Sequence, residues 1–408
     1  MLSAKEAEAI ILNLVQPLDP REDREQIRLE NATGRILAKA IASELDFPYW
    51  DNSAMDGYAV RYRDIADCSR DNPVTLDIVE EIPAGYPPQN SLQSGQTARI
   101  FTGAMLPSGA DTIVIQENTR RNGNKVTILE SARAKQFVRH QGSYYKAGDP
   151  MLQSGTVLQA SDIAVLATAQ CLELSVYRRP KVAILSTGNE LVSPDTPLKK
   201  GQIIDSNQYA LTSFIKQNGG IPLCYGIVPD EPNALKEAVK RAIAEADIVL
   251  STGGVSVGDY DYVDSILAEL GGNIHIRSVA VKPGKPLTVA TFANNCLYFG
   301  LPGNPVSALV SCWRFVLPAL KKLSGIDDNF LPTFVKAITR DTLKAGGKRE
   351  TYLWGKLKLV EGEYQFFIAG GTHQSANLIN LAQTNGLAVI PIGETEIIAG
   401  STVMVMIV

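Results

Sequence analysis

The chain has 408 residues, with 39 Lys and Arg against 43 Asp and Glu, a formal net charge of −4 and 45% apolar residues. At about 150 residues per domain, this length predicts two to four domains, and the apolar content excludes a wholly disordered or fibrous chain. No basic excess is available to neutralise a nucleic-acid backbone or an anionic membrane, so neither nucleic acid nor membrane is an expected partner.

The N-terminal residues and the cysteines indicate the expected compartment. Lys5, Glu6 and Glu8 fall where a signal peptide would have its uncharged core, and no run of 18 uncharged apolar residues occurs. The five cysteines are scattered and none is in a CxxC pair, which favours reduced thiols over disulfides or structural zinc. We therefore expect a cytoplasmic protein in which any metal is oxygen-bound, such as magnesium.

The predicted elements begin with a helix and then change to strands. Ser3 and Glu6 form a capping box, followed by apolar residues at helical spacing. Short β-rich runs between turn signals indicate a β-rich insertion domain over residues 47–145. Helical patterning returns at SDIAVLATAQCL, so residues 1–46 and 146–178 are predicted to form one discontinuous N-terminal domain.

Strand and helix signals alternate over residues 179–326. The runs KVAILS, PLCYGIV, DIVLS and CLYFG are typical of buried parallel strands, and QNGG at 217–220 indicates the end of a helix between two of them. This pattern predicts a doubly wound α/β domain. Residues 327–408 return to β signals, including TYLWGKLKLV and STVMVMIV, and predict a small C-terminal β domain.

Loops that follow the α/β strands are the expected ligand sites, because ligands of open α/β sheets bind beyond the carboxyl ends of the strands. STGNEL at 186–191 offers Gly188 for a tight turn and a carboxylate at Glu190, although an ordinary strand-to-helix turn explains it equally well. GLPGNPVSA at 300–308 combines Asn304 as N-cap with Pro305 at the first helical position, which leaves Ser307 in the first turn as an anion ligand.

A glycine-rich segment, STGGVSVGDYD at 251–261, is predicted to bind a phosphate, because glycines let the backbone approach it closely. It lacks the GK[ST] ending of a Walker loop, so no lysine grips the phosphate here. Asp259 and Asp261 suit a magnesium ion that bridges phosphate oxygens, while Asp261 as a simple helix cap is the alternative.

Two lysines are predicted to bind an anion at VKPGKP, residues 281–286. Pro283 and Pro286 stiffen the short loop that carries Lys282 and Lys285. Cations held close together on rigid backbone repel each other unless an anion lies between them, whereas solvated surface lysines need no such stiffening.

The β-rich insertion offers weaker candidates. DFPYWDNSAMDGYAV at 46–60 is dense in Asp, Asn and Ser, which indicates a substrate-lining loop with Asp51 or Asp56 as candidate acid. RIFTGAMLPSGAD at 99–111 puts Thr102 in a turn after a strand, for which a hairpin connection is the alternative.

Seven segments in this order resemble the molybdopterin molybdenumtransferases, the family of the bacterial MoeA enzymes and the C-terminal part of gephyrin. They are DNSAMDGYAV, RIFTGAMLPSGADTIV, STGNELV, GQIIDSN, STGGVSVGDYD, KPGKP and LPGNPVSALV. The resemblance implies a four-part subunit with a discontinuous N-terminal domain, a β-rich insertion, an α/β domain of the molybdopterin-binding type and a C-terminal β-barrel. It also implies a homodimer with a shared cleft, and a molybdopterin adenylyltransferase as substrate donor. The implied reaction inserts molybdate into adenylylated molybdopterin, with magnesium assisting and AMP released.

The resemblance gives the candidate residues their roles. Those implied to be catalytic are Asp56, Thr102, Glu190, Asp230 and Asp261, with Glu190 and Asp261 as magnesium ligands. Those implied to hold the molybdate oxyanion and the terminal phosphate are Lys282, Lys285, Ser307, Arg349 and Ser375. Further substrate contacts are expected at Ser53, Gly253, Gly254, Ser256, Pro302 and Pro305.

The chain departs from the family pattern in three places. Ser143 and Tyr144 follow Gly142 where the family has an acidic residue, and Ile379 and Asn380 replace a pair of serines. In the family's Arg-x-Glu-Phe-x-Arg pattern, Thr351 replaces the glutamate and Trp354 the second arginine.

Two other functions compete with the transferase reading. A non-catalytic binding or scaffold protein could use the same dimeric fold, but it would not need the acidic and basic residues retained here. A generic phosphotransferase is disfavoured because Walker and kinase motifs are absent.

Overall fold

The computed structural model describes residues 1–253 and 260–408, with side chains described for 1–253 and 263–408. The chain forms two compact units. The larger unit comprises Met1–Lys39, Ser154–Ile163 and Glu173–Val408, and the smaller comprises Ala40–Gln153 and Ala164–Leu172. The four domain boundaries given above stay a prediction. Among the described residues, no helix combines the length and apolarity needed to span a membrane.

Helix α1, Ala4–Leu14, opens the larger unit and confirms the predicted capping box. The Ser3 hydroxyl accepts a hydrogen bond from the Glu6 N–H at 3.2 Å, and the Glu6 carboxylate accepts one from the Ser3 N–H at 2.8 Å. Ala7 and Ile11 are buried in the core of the α/β domain. Strand β1, Arg24–Arg28, follows.

The smaller unit is built mainly of strands, which confirms the β-rich insertion. Its strands are β2 (Ile41–Ala42), β3 (Asn52–Ser53), β4 (Gly57–Val60), β5 (Val74–Ile82), β6 (Gln96–Ile100), β7 (Thr112–Ile115), β8 (Thr119–Asn122), β9 (Lys125–Ile128), β10 (Val138–Arg139) and β11 (Pro150–Leu152). Six of them form one sheet in the order β7-β4-β6-β5-β9-β8, and β3 pairs with β10 and β2 with β11. Helix α2 then spans Ala160–Thr168.

Among the residues that the structure describes, ten strands and five helices form the α/β region. The strands are β12 (Glu173–Tyr177), β13 (Lys181–Thr187), β14 (Leu191–Val192), β15 (Ile203–Ile204), β16 (Ile221–Val228), β17 (Ile248–Thr252), β18 (Asn273–Ser278), β19 (Val281–Lys282), β20 (Pro286–Thr291) and β21 (Leu297–Leu301). The helices are α3 (Asn207–Gln217), α4 (Pro232–Glu245), α5 (Tyr260–Glu269), α6 (Pro305–Ser311) and α7 (Leu317–Leu323), with a π-helical turn, Cys312–Val316, joining the last two. Strand β12 pairs antiparallel with β1.

The main sheet has the order β16-β13-β17-β21-β20-β18. Its first four strands are parallel, and β20 pairs antiparallel with both β21 and β18, so of these six strands β20 is the reversed one. Val182 and Ile184 of β13 share a buried cluster with residues of α3, while Ala183 and Leu185 share another with α4 and α5. Helices therefore cover both faces, which confirms the doubly wound α/β prediction. Because β13 and β17 lead to helices on opposite faces, a crevice is expected at their carboxyl ends.

A β-barrel ends the chain, which confirms the predicted C-terminal fold. Its region contains β22 (Phe334–Thr339), β23 (Leu343–Lys344), β24 (Glu350–Val360), β25 (Glu363–Ile368), β26 (Gly386–Ile390), β27 (Glu396–Ile397) and β28 (Thr402–Ile407). The order β24-β25-β22-β28-β26 closes because β26 also pairs with β24. Strand β19 of the α/β region pairs in parallel with β24, which ties the barrel to the loop that carries Lys282.

Candidate active site

An open cavity of about 1290 Å³ lies within the larger unit, between the strand ends of the α/β sheet and the barrel. It brings together ten of the candidate residues. They are Glu190, Asp230, Gly253, Lys282, Lys285, Pro302, Pro305, Ser307, Arg349 and Ser375. Residues from seven segments, far apart in sequence, thus line one space.

The first two strand-end loops meet through close backbone contact. Gly253 has φ of 89°, and a Cβ on it would lie 2.1 Å from the carbonyl oxygen of Thr187. The Thr187 hydroxyl donates to the Thr252 carbonyl at 3.2 Å. Only glycine fits at position 253 without displacing backbone, because this φ disfavours any side chain and a Cβ would overlap the oxygen.

Glu190 lies in the turn that follows β13. Gly188 has φ of 151°, and a Cβ on it would come within 2.7 Å of the Glu190 carboxylate. The missing side chain thus leaves room for the carboxylate. Asp230, at the end of the loop after β16, lines the same cavity, and its N–H donates to the Asn189 side chain at 3.1 Å. Glu190 and Asp230 therefore both lie on the α/β side.

Three of the cationic side chains that line the cavity, Lys282, Lys285 and Arg349, lie toward the barrel side. Lys282, the last residue of β19, and Lys285, in the loop that follows it, are exposed, and Arg349 directly precedes β24. An Arg349 N–H donates to the Val281 carbonyl at 3.2 Å, so the arginine is anchored beside the lysine loop. The ion pairs of the described side chains involve none of the three. Their charges are thus available to an anion in the cavity.

The third strand-end loop connects the α/β domain to the barrel. Asn304 is the N-cap of α6 with Pro305 in the first turn, as predicted, but its side chain makes no capping hydrogen bond. The Asn304 amide instead donates to the Ser375 hydroxyl at 3.1 Å. Ser307 lies in the first turn of α6 and is 4% exposed. The amide expected to cap a helix therefore positions a barrel residue.

The barrel side contains an unexpected aromatic contact among the residues that depart from the family pattern. The Trp354 indole N–H donates to the Asn380 side chain at 3.0 Å, and its ring lies 4.4 Å from that of His373. Burial lowers the pKa of His373 below its ordinary value, despite a hydrogen bond to the Ala369 carbonyl. The Thr351 hydroxyl donates to the Arg349 carbonyl at 3.1 Å. Trp354 and Asn380 therefore hold each other, although they lie on different segments.

The remaining candidates with described side chains lie in the smaller unit. Asp56 accepts hydrogen bonds from the N–H and the hydroxyl of Thr102 at 2.7 and 2.8 Å, and these hold the pKa of Asp56 below its usual value. Burial raises the pKa of Asp51, but hydrogen bonds from Gln141 and His140 outweigh it, so the net shift is downward. Both carboxyls are thus ionised at neutral pH, which favours an acceptor role over proton donation.

Ser53 is fully buried, and its hydroxyl donates to the Met55 carbonyl at 2.5 Å. That bond keeps the hydroxyl within its own turn, so the substrate contact expected at Ser53 stays a prediction.

Four candidates are not described in full. Gly254 and Ser256 lie outside the described residues, as does Asp259 of the same loop. Asp261 belongs to α5, but its side chain is not among those described. The roles predicted for these residues stay predictions.

Comparisons with known proteins agree with this arrangement along the whole chain. Three family models match it: the MoeA N-terminal region (domain I and II) over residues 2–169, a probable molybdopterin binding domain over 183–322, and the MoeA C-terminal region (domain IV) over 336–408. A molybdopterin molybdenumtransferase of Nostoc sp. is 57% identical over 408 residues, covering 100% of this chain and 94% of its own.

The chain belongs to the molybdopterin molybdenumtransferase family. A relative from Haemophilus influenzae with the same name is 34% identical and covers 93% of both chains. The crystal structure of a molybdopterin biosynthesis MoeA protein from Pyrococcus horikoshii superposes with a TM-score of 0.85 at 28% identity, with 100% of both chains covered. The resemblance stated from the motifs is therefore confirmed, and the chain is an enzyme of molybdenum cofactor biosynthesis.

Asp205 and Asn207 are among the cavity residues to which the sequence assigned no role. Asp205 and Asn207 lie where β15 leads into α3, are 3% and 8% exposed, and line the cavity. The segment GQIIDSN was among the family motifs, but its polar residues before a helix could equally be caps. Only the packed structure shows that both side chains are buried at the cavity.

Proposed function

We propose that this molybdopterin molybdenumtransferase inserts molybdate into adenylylated molybdopterin and releases AMP. The observation that carries the proposal is that one cavity has carboxylates, Glu190 and Asp230 among them, together with cations that include Lys282, Lys285 and Arg349. The two substrates are anions, whereas cleavage of a phosphate linkage also needs groups that control charge on the leaving phosphate. Residues of both charge signs in one cavity support a site that binds the anions and also controls charge on the leaving phosphate.

The cations and hydroxyls would bind the oxyanion and the terminal phosphate. Lys282 and Lys285 extend from a short proline-bounded loop, and Arg349 is fixed by its hydrogen bond to Val281. Charge-assisted hydrogen bonds from such donors are the strong ones for oxyanions, and an anchored arginine loses little freedom on binding. Ser307 and Ser375 add hydroxyl donors on either side of Asn304. These five side chains would therefore hold molybdate near the pterin's sulfur atoms.

The carboxylates suit a magnesium ion that is bound jointly by the protein and by the substrate phosphates. No cluster of three or more His, Cys, Asp or Glu that could hold a metal occurs among the described residues. Magnesium, however, is commonly bound by one or two carboxylates together with substrate phosphates. Glu190, in the turn at Gly188, and Asp261 would hold the ion, and magnesium would supply charge neutralisation for the leaving phosphate. Asp230 would add a second acceptor on this side.

The proposal also covers partners and the smaller unit. We propose a homodimer, with Asp56, Thr102 and Ser53 lining a cleft shared between subunits, a molybdopterin adenylyltransferase as substrate donor, and a cytoplasmic location. Sedimentation tests the dimer, because a concentration-independent monomer at micromolar levels would remove the shared cleft.

One incubation tests the reaction itself. The purified full chain is mixed with adenylylated molybdopterin, magnesium and molybdate, and AMP is quantified by chromatography while pterin-bound molybdenum is quantified by mass spectrometry. We expect AMP release together with molybdenum bound to the pterin, and neither in a sample without protein. Molybdate binding without AMP release would contradict the reaction and support the non-catalytic binding protein.

A further inference from the structure

Three hydrogen-bond acceptors at the start of α3 are buried without a partner among the described residues. They are Oδ2 of Asp205, Oδ1 of Asn207 and Oε1 of Gln208. Buried polar atoms in proteins are nearly always paired, because an unpaired one loses its hydration without compensation. Asp205 and Asn207 also line the cavity, so a ligand there can supply the missing donors.

The unpaired atoms are held in place by the bonds that their neighbours make. The amide nitrogen of Asn207 donates to the Gly303 carbonyl at 2.8 Å. This bond orients the side chain and leaves Oδ1 of Asn207 as the acceptor without a partner. Oδ1 of Asp205 accepts from the Gln208 N–H at 3.2 Å, and the Asp205 N–H donates to the Val192 carbonyl at 2.9 Å. The acceptors are thus oriented before any ligand binds.

Acceptors of this kind select the chemistry of the ligand. A carboxylate beside amide oxygens repels phosphate and molybdate, and those anions have cations on the other side of the cavity. The matching group is a heterocycle edge with adjacent N–H donors. The aminopyrimidinone edge of a pterin presents an amino group next to a ring N–H, and both can bond to a carboxylate. Adenine presents its amino group next to a ring acceptor, which a carboxylate disfavours.

We propose that Asp205 and Asn207 bind the aminopyrimidinone edge of the pterin substrate. This inference rests on the proposed function, because it identifies which part of that substrate lies at the start of α3. Asp205 supplies the charged acceptor, and Asn207 supplies a neutral one.

A pair of pterins that differ at one position tests the inference on the full chain. Pterin has a 2-amino group, whereas lumazine has an oxygen there, which would face the Asp205 carboxylate. A site built to pair with a donor rejects the analogue that lacks it. We expect calorimetry to show at least about tenfold tighter binding of pterin than of lumazine by the unsubstituted chain. Equal affinities, or no pterin binding up to millimolar concentration, would overturn the inference.

Asp205→Asn is the variant of choice because it keeps the size of the side chain and the Oδ1 acceptor for Gln208. We expect its preference for pterin to fall to near unity, whereas Asp195→Asn, an exposed aspartate outside the cavity, leaves the preference unchanged. Circular dichroism checks that both variants fold. The comparison of pterin with lumazine on the unsubstituted chain tests the inference even if a variant does not fold.

Two further measurements distinguish a pterin ligand at Asp205 from adenine and from magnesium. If Asp205→Asn instead removed a preference for AMP over inosine monophosphate, or weakened magnesium binding, the residue would belong to adenine or to the metal and the inference would fail. AMP release in the same preparation distinguishes the two proposals. Release without a pterin preference would refute only the role of Asp205, and a preference without release would refute only the reaction.

Discussion

The α/β side and the barrel side of the cavity are built in different ways. On the α/β side the backbone sets the geometry, since Gly253 contacts the Thr187 carbonyl and Gly188 leaves room for Glu190. On the barrel side, side chains do so, through Trp354 bonded to Asn380 and Ser375 bonded to Asn304. A backbone contact cannot be restored by changing the side chain of a partner, whereas a side-chain contact can. The α/β side should therefore tolerate few changes, and the barrel side should tolerate paired ones.

The largest expected effect is on the carboxylates of the α/β side. Replacing Glu190 with Gln, or Asp261 with Asn, should depress AMP release by about two orders of magnitude or more, a loss of roughly 3 kcal/mol in transition-state stabilisation. Turnover measured at saturating magnesium and molybdate checks this. Glu231→Gln, an exposed carboxylate outside the cavity, is the matched control and should keep full activity. Unchanged turnover in Asp261→Asn would assign that residue to helix capping.

Two glycines of neighbouring loops test whether the backbone sets the α/β side. Gly253→Ala forces a Cβ to within 2.1 Å of a carbonyl oxygen at a positive φ, and should lower the free energy of unfolding by about 2 kcal/mol or more. Gly303→Ala is the control, because its nearest atom would be 3.5 Å away, an ordinary contact. Urea unfolding compares them. Equal stability of the two variants would mean that the contact at Gly253 relaxes freely.

A double-mutant cycle tests the side-chain contact on the barrel side. Trp354→Phe and Asn380→Ala each remove one partner of the same hydrogen bond, so their effects on unfolding should be non-additive by about 1 kcal/mol. Additive losses would show that the two residues act independently.

The same contrast explains what the sequence could predict. The capping box at Ser3 and the strand-end loops depend on residues a few positions apart, and both were predicted from local patterns. The bond between Trp354 and Asn380 joins positions 26 residues apart, so each appeared only as a separate departure from the family. Burial of Asp205 depends on packing against distant loops, and a polar residue before a helix is ordinarily a cap. Asn304 illustrates the two cases together. Its position as a helix cap follows from local sequence and was predicted, whereas its bond to the distant Ser375 was not.

The most direct test of the account is to measure molybdate and pterin affinities separately on one set of variants. Lys285→Ala and Arg349→Ala each remove a charge-assisted donor, which typically costs about 1.5 to 3 kcal/mol. The molybdate dissociation constant should therefore rise by roughly tenfold to a hundredfold, and that of the adenylylated pterin should rise less.

Lys348→Ala is the matched control, because this exposed lysine adjoins Arg349 but does not line the cavity. Calorimetry at fixed magnesium and constant ionic strength keeps screening of the anions equal across the series. The account predicts that Lys285→Ala and Arg349→Ala weaken molybdate binding selectively and that Lys348→Ala changes neither affinity. An equal loss of both affinities, or a loss of pterin binding alone, would contradict a separate molybdate site and assign these cations to the phosphate.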